Sequence, residues 1–291
     1  MSRDHIIPQF ILRGFAINPT AAKSKQKIMI YDRKTKKIKT EKIADAYAIQ
    51  DFNSPETEKF LAQKYENDIA KIFQQIKDAA EGEQKAIHLS NKEYKLLYRF
   101  FVIMWRRNDI QEQKMKKLSM QVNEFIRNLF GDKKYKEMLL PEYRNVPIEQ
   151  EIEQRINEVK QSFYDRIIQE PNDDDPTAQK TIKHYKPHII YNKSNIHFIL
   201  HNSYATLEYF VKDNTIQEDD IPYYFIEPIS NKPCFCLLFS ENEIELTKEN
   251  YEISIEVITD DDFIKNHFVK EYITSVATSI VVDDTNKEYV K

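Results

Sequence analysis

The side chains best placed for chemistry open the chain, in the run His5-Ile6-Ile7-Pro8-Gln9-Phe10-Ile11-Leu12-Arg13-Gly14-Phe15-Ala16. Pro8 has the fixed φ of a first helical position, so a short helix is predicted to start there and to carry Phe10, Ile11, Leu12 and Phe15 into a core. His5 then stands just ahead of the helix N-terminus and Gln9 in its first turn. The N–H groups and partial positive charge of such an end favour a neutral or hydrogen-bonded imidazole and attract an anion. A neutral imidazole can take up a proton at cellular pH, which makes His5 a candidate general acid/base. The competing account is a histidine that only ties the segment down by hydrogen bonds.

A second candidate is Arg107. From Ser90 to Gly131 the chain reads as one very long helix with a stripe Phe100, Ile103, Met104, Arg107, Gln111, Met115, Leu118, Val122, Phe125 and Leu129. An arginine inside that stripe must be paired, because burying it alone costs several kcal/mol. It is either a structural ion pair, with Glu66 among the partners, or an anion-binding group. Arg107 continues the 100-103-104 face, while Arg106 is rotated by about 100° from it. Metal signals are weak. His184 and His188 stand four apart but Pro187 interrupts them, and the run Asp173-Asp174-Asp175 lacks the alternation and glycine of a calcium loop. His197 and His201 lie ~13 Å apart on a strand and cannot share one ion.

These residues have to be positioned by the elements around them. Lys27–Asp32 and Lys37–Lys39 read as a hairpin with a lysine-rich turn, and Ser54 to Gly82 as a capped helix with Phe60, Leu61, Tyr65, Ile69, Ile72, Phe73 and Ile76 inward. Ile148 to Gln169 is a further amphipathic helix, Pro171 to Pro176 an acidic linker, and Thr177 to Tyr191 looks helical. Short β-rich runs between Ile196 and Ile258 then argue an antiparallel sheet. A last helix starts at Asp260 with Phe263, Ile264, Phe268, Ile273, Val276, Ala277 and Ile280 inward, before a polar tail after Asp283 that should fray. The expectation is an α+β protein: a helical middle with one long helix, and a C-terminal antiparallel sheet covered by the last helix and the N-terminal segment. Residues 1–291 form one unit with two lobes, 1–170 mainly helical and 177–291 mainly sheet.

The 291 residues carry 43 basic and 47 acidic side chains, a net charge of −4, so no global field marks the chain for nucleic acid. The two cysteines, Cys234 and Cys236, share a strand face without disulfide geometry, which reads as reduced and cytoplasmic. The longest apolar run, Phe100 to Trp105, is too short to span a bilayer, so no membrane partner is expected. With three glycines, Gly14, Gly82 and Gly131, the chain lacks the clustered glycines of phosphate-cradling and dinucleotide loops. No cofactor is specified, and a divalent metal is left open.

The opening His-x-x-Pro-Gln-x-x-Leu-x-x-Phe resembles the bacterial family catalogued as domain of unknown function 4238, whose members usually have Asn where Gly14 stands. Both residues tolerate a left-handed backbone, which makes the exchange look conservative. The resemblance also matches Glu66 and Asn266 to polar positions of the family, and Arg107 to an arginine ending a Phe-rich helix. Asn202 replaces the family's aspartate, Tyr204 its proline, and Ser230 falls in the Pro-x-Ser segment. What the resemblance implies is a bacterial or prophage-borne protein of anti-phage defence. In the enzyme reading it is an effector, a nuclease-like hydrolase, with His5, Arg107 and Glu66 as catalytic residues and Gln9, Asn202, Ser230 and Asn266 positioning the ligand. The alternative is a non-enzymatic sensor that uses the same pocket to recognise a phage component or anionic ligand without chemistry; the partners the two readings imply are nucleic acid or a phage protein. Whether the protein is an enzyme is left open at this stage, as is its oligomeric state.

Overall fold

A computed structural model describes residues 3–50, 55–106, 109–169, 183–201, 206–209, 222–239, 244, 247–270 and 279–290. Arg107, Asn202 and the linker at 171–176 lie outside them, as do Tyr204 and the stretch 271–278 of the expected last helix. By packing, the chain divides into one unit of Met1–Arg107 with Asn172–Lys291 and a second of Asn108–Pro171.

The first unit is built on a six-stranded sheet. Its strands are β5 (Ala86–Ser90), β6 (Tyr185–Asn192), β8 (Thr206–Tyr209), β9 (Pro222–Pro228), β10 (Pro233–Phe239) and β11 (Asn250–Ile258), in the order β5-β11-β6-β10-β9-β8. The alternation in β11 sets its faces: Tyr251, Ile253 and Ile255 are buried while Glu252, Ser254 and Glu256 are exposed. Helices α3 (Asn67–Glu81) and α4 (Asn91–Arg106) pack against β5, with α3 also touching β10 and α4 touching β11. The sheet is mixed, because β11 runs parallel to β6 with Ile255 opposite Ile189. A four-stranded sheet joins both ends of the chain, in the order β3 (Lys37–Lys42), β2 (Lys27–Asp32), β12 (Ser279–Val282), β7 (Leu200–His201). A second core joins it to the large sheet through Cys234, Cys236, Phe198, Ile199, Phe268, Ile280 and Val282. The two cysteines are not joined in a disulfide, their Sγ atoms being 4.0 Å apart. A two-stranded ribbon pairs β1 (Arg3–His5) with β4 (Ala48–Gln50).

The helical expectations hold for the most part. The segment from Pro55 to Glu81 is helical and buries Leu61, Tyr65, Ile69, Ile72, Phe73 and Ile76, with a π turn at Leu61–Glu66 between α2 (Pro55–Phe60) and α3. Ser90 and Glu93 form a capping box, Ser90 Oγ donating to Glu93 Oε2 at 2.7 Å. The long helix is described on both sides of residues 107–108, as α4 and as α5 (Asp109–Met138), and Gly131 at φ +77° and ψ 157° interrupts α5. The second unit is a helical hairpin of α5 and α6 (Ile148–Gln169).

Three readings are corrected. Tyr185 to Asn192 is a strand, not the end of a helix, since Pro187 breaks helical hydrogen bonding while Ile189, Ile190 and Tyr191 are worth more buried in a sheet. Pro187 is tolerated because the parallel pairing with β11 begins only at Ile189. The last helix begins as α7 (Asp261–Ile264), capped by Asp260, and continues as a π turn at Lys265–Lys270; Ile273, Val276 and Ala277 lie outside the described residues, and Ile280 lies in β12, not on this helix. The tail is not frayed, for Asn286 is fully buried and Val290 joins the second core.

Candidate functional site

The N-terminal segment is anchored on its apolar side. Ile7, Ile11 and Leu12 are fully buried, and the Phe10 ring lies 5.7 Å from Phe73 and 6.0 Å from Phe100. It therefore packs on α3 and α4 as well as on the turn that enters β10. Pro8 has an extended ψ of 137°, so α1 is Gln9–Arg13, five residues long and starting one position later than expected. So short a helix has few aligned peptide dipoles, and the helix-end field expected at His5 is correspondingly weak. His5 is held instead by β1, opposite Ala48, and Ile6 donates to Tyr47 O at 2.9 Å.

On the polar side, residues four apart form a row. Arg13 donates to Gln9 Oε1 at 2.8 Å, and Gln9 Nε2 lies 3.4 Å from His5 Nε2. The guanidinium has no acceptor atom, so it fixes the amide's oxygen toward Arg13 and its nitrogen toward His5. His5 then accepts at Nε2, which places the proton of a neutral ring on Nδ1. Arg13 Nε is buried and meets no acceptor among the described residues, and burial lowers the guanidinium's pKa. The row is thus a half-desolvated cation with one N–H still to be satisfied.

The end of α1 leads into a second polar cluster. Gly14 is right-handed, with φ −64°, and its role is close approach: a Cβ there would lie 2.5 Å from Ser230 Cβ and 2.7 Å from Ile229 O. The reading of Gly14 as a left-handed position is therefore corrected. Ser230 is buried in this turn and accepts from Lys232 N at 3.3 Å. Asn231 N donates to Gly14 O at 3.1 Å, and its side-chain amide lies 3.4 Å from His197 Nδ1. That same nitrogen is 2.5 Å from Asp283 Oδ2, while Thr285 Oγ1 donates to Asp283 Oδ1 at 2.7 Å. Burial pushes the Asp283 carboxyl up, but hydrogen bonds from His197 and Thr285 outweigh it and leave its pKa below the ordinary value. With Nδ1–H directed at a carboxylate, His197 presents Nε2 without a partner among the described residues, the orientation that a general base needs.

The other candidates stand apart from these clusters or outside the description. Glu66 is half-buried at the end of the first π turn, and Asn266 is exposed in the second, so both fall in the helix irregularities that often accompany functional positions. Arg107 and Asn202 lie outside the described residues. A further imidazole, His188, bridges Ser254 Oγ at 2.9 Å and Glu256 Oε2 at 3.0 Å. That trio lacks an obvious oxyanion donor, because the amide following Ser254, Ile255 N, is already bonded to Lys85 O at 2.8 Å. Among the described residues no three His, Cys, Asp or Glu side chains converge as a metal set would.

Sequence reasoning placed His5 and Gln9 together and missed Arg13, His197 and Asp283 as site residues. The i, i+4, i+8 spacing of His5, Gln9 and Arg13 was a legible signal. The His197–Asp283 pair joins residues 86 apart in the chain and left none. The sequence profile of a family described as "Protein of unknown function (DUF4238)" matches residues 3–290. No curated protein and no solved structure matches the chain.

Proposed function

The chain belongs to the DUF4238 family of proteins of unknown function, and we propose that it is a defence-type protein whose N-terminal row recognises a phosphate-bearing ligand, nucleic acid being the class to test first. One observation carries this: the buried Arg13 Nε–H, which meets no acceptor among the described residues. An unsatisfied buried donor costs ~1–3 kcal/mol, which a phosphate oxygen would return while pairing the cation. The defence setting rests on the family resemblance. The low net charge fits a small, local contact better than a broad electrostatic surface. The test is fluorescence anisotropy with labelled single- and double-stranded oligonucleotides. Arg13→Gln should weaken binding by about 10- to 100-fold, the loss of one charged hydrogen bond. Equal affinity of the variant and the wild type removes the row as the ligand site.

A second reading, that the protein also hydrolyses its ligand, is favoured by the His197–Asp283 pair. The carboxylate holds the ring, and Nε2 stands open to move a proton. His5 could do so only after Gln9 releases its Nε2. His197→Gln should abolish ligand cleavage and leave ligand affinity within about threefold, whereas a variant that retains cleavage excludes this pair as the acid/base.

A further inference from the structure

The second unit carries a surface without a partner among the described residues. On α5, Leu118, Val122, Phe125 and Leu129 are 61%, 46%, 62% and 59% exposed. Their spacing of four, three and four residues is that of a coiled-coil seam, so they lie in one line along the helix. Beside the line, α5 and α6 enclose a mainly apolar cleft of about 360 Å³, with Ile152 and Ile156 buried in its lining, Val159 60% exposed at its edge, and Asn123 and Arg155, the latter paired with Glu151, as its polar wall. The exposed parts of these side chains amount to roughly 400 Å², the size at which an apolar patch marks an interaction surface.

We propose that this face is the contact between two copies of the chain, which close an antiparallel four-helix bundle about a two-fold axis near Val122 and Phe125. Three features select a second copy as the occupant. The face is self-complementary: it bears both protruding rings and an apolar cleft, so a two-fold axis puts Phe125 of each copy at the cleft of the other. In antiparallel register Leu118 meets Leu129 and Val122 meets Phe125, a large side chain beside a smaller one at the centre. The positions flanking the seam are Ser119, Gln121, Ile126 and Asn128, none of them charged in a chain that is 31% charged. Flanks without charge do not repel their own copy and offer nothing to a charged partner. Two such patches with their polar rims reach the ~1,000 Å² that a specific interface needs.

Size-exclusion chromatography with light scattering on the full chain tests this. The wild type should run at twice its 34.8 kDa mass at micromolar concentrations, and the double variant Val122→Glu/Phe125→Glu at the single mass with an unchanged circular dichroism spectrum. Should that variant misfold, the double variant Gln121→Lys/Asn128→Lys, at two exposed flanks, should weaken the dimer at least tenfold, because the antiparallel register sets position 121 of each copy across from position 128 of the other and so places like charges across the seam. A wild type that stays monomeric at 100 µM, a folded Val122→Glu/Phe125→Glu variant that stays dimeric, or a Gln121→Lys/Asn128→Lys dimer of unchanged strength overturns the proposal.

Discussion

Helices α4 and α5 carry what reads in the sequence as one apolar stripe, and its two halves have different fates. Phe100, Ile103 and Met104 on α4 are 1–2% exposed, while Leu118, Val122, Phe125 and Leu129 on α5 are about half or more exposed. Periodicity states that a face is apolar, not what covers it. In α4 the cover is local: the Phe100 ring packs on Phe10 and Phe73. The α5 face has no such cover among the described residues, and on the proposed dimer that difference separates a residue needed for folding from one needed for association.

Truncating the two halves should sharpen the contrast. Phe100→Ala opens a cavity in a closed aromatic cluster and should cost ~3–5 kcal/mol in denaturant unfolding. Phe125→Ala, at concentrations low enough to keep the chain monomeric, should change unfolding by less than ~0.5 kcal/mol. Equal costs would show that both faces are core. The next largest effect belongs to Gly14. Gly14→Ala forces the Ile229–Ser230 backbone away and should cost ~1–3 kcal/mol by overpacking. Ser230→Gly should restore part of it by thermal melt, because it removes one of the contacts and leaves Ile229 O in place. An unchanged melt for Gly14→Ala would contradict the close approach.

The smallest effect is a pH dependence. The pKa of Asp283 is lowered in the fold, so its contribution is fully present above the unfolded carboxyl value of about 3.9 and is lost as pH falls through the lower folded value. Asp283→Asn should cost about 1–2 kcal/mol at neutral pH, and the gap from the wild type should narrow in acid. A gap independent of pH would mean that ionisation of the Asp283 carboxyl contributes nothing.

What could be read in advance followed from local rules. The helix at 55–81, the helix at 148–169 and the 27–42 hairpin are set by caps, period and turn residues within their own span. Strand β6 was misread because Pro187 and the apolar run after it fit a helix end or a strand equally well until Ile255 of β11 supplies the parallel neighbour. Gly14 was assigned to backbone freedom, and the reason proved to be Ser230, more than 200 residues away. The tail looked frayed because its polar residues find their partners only in the fold: Asn286 Nδ2 donates to His197 O at 3.2 Å. The same holds for the candidate site, of which only the short row His5-Gln9-Arg13 was available to local reasoning.

Arg13 Nε–H, buried and without an acceptor among the described residues, is the contact proposed for a phosphate oxygen, and its side-chain resonance reads that directly. Isotope-labelled protein is titrated with a short single-stranded oligonucleotide while the Arg13 Nε–H signal, assigned by its loss in Arg13→Lys, is followed by NMR. The account predicts that the signal moves downfield to saturation and that its exchange with water slows as the hydrogen bond forms. An Arg13 signal that stays in place while other resonances of the chain report binding would contradict it.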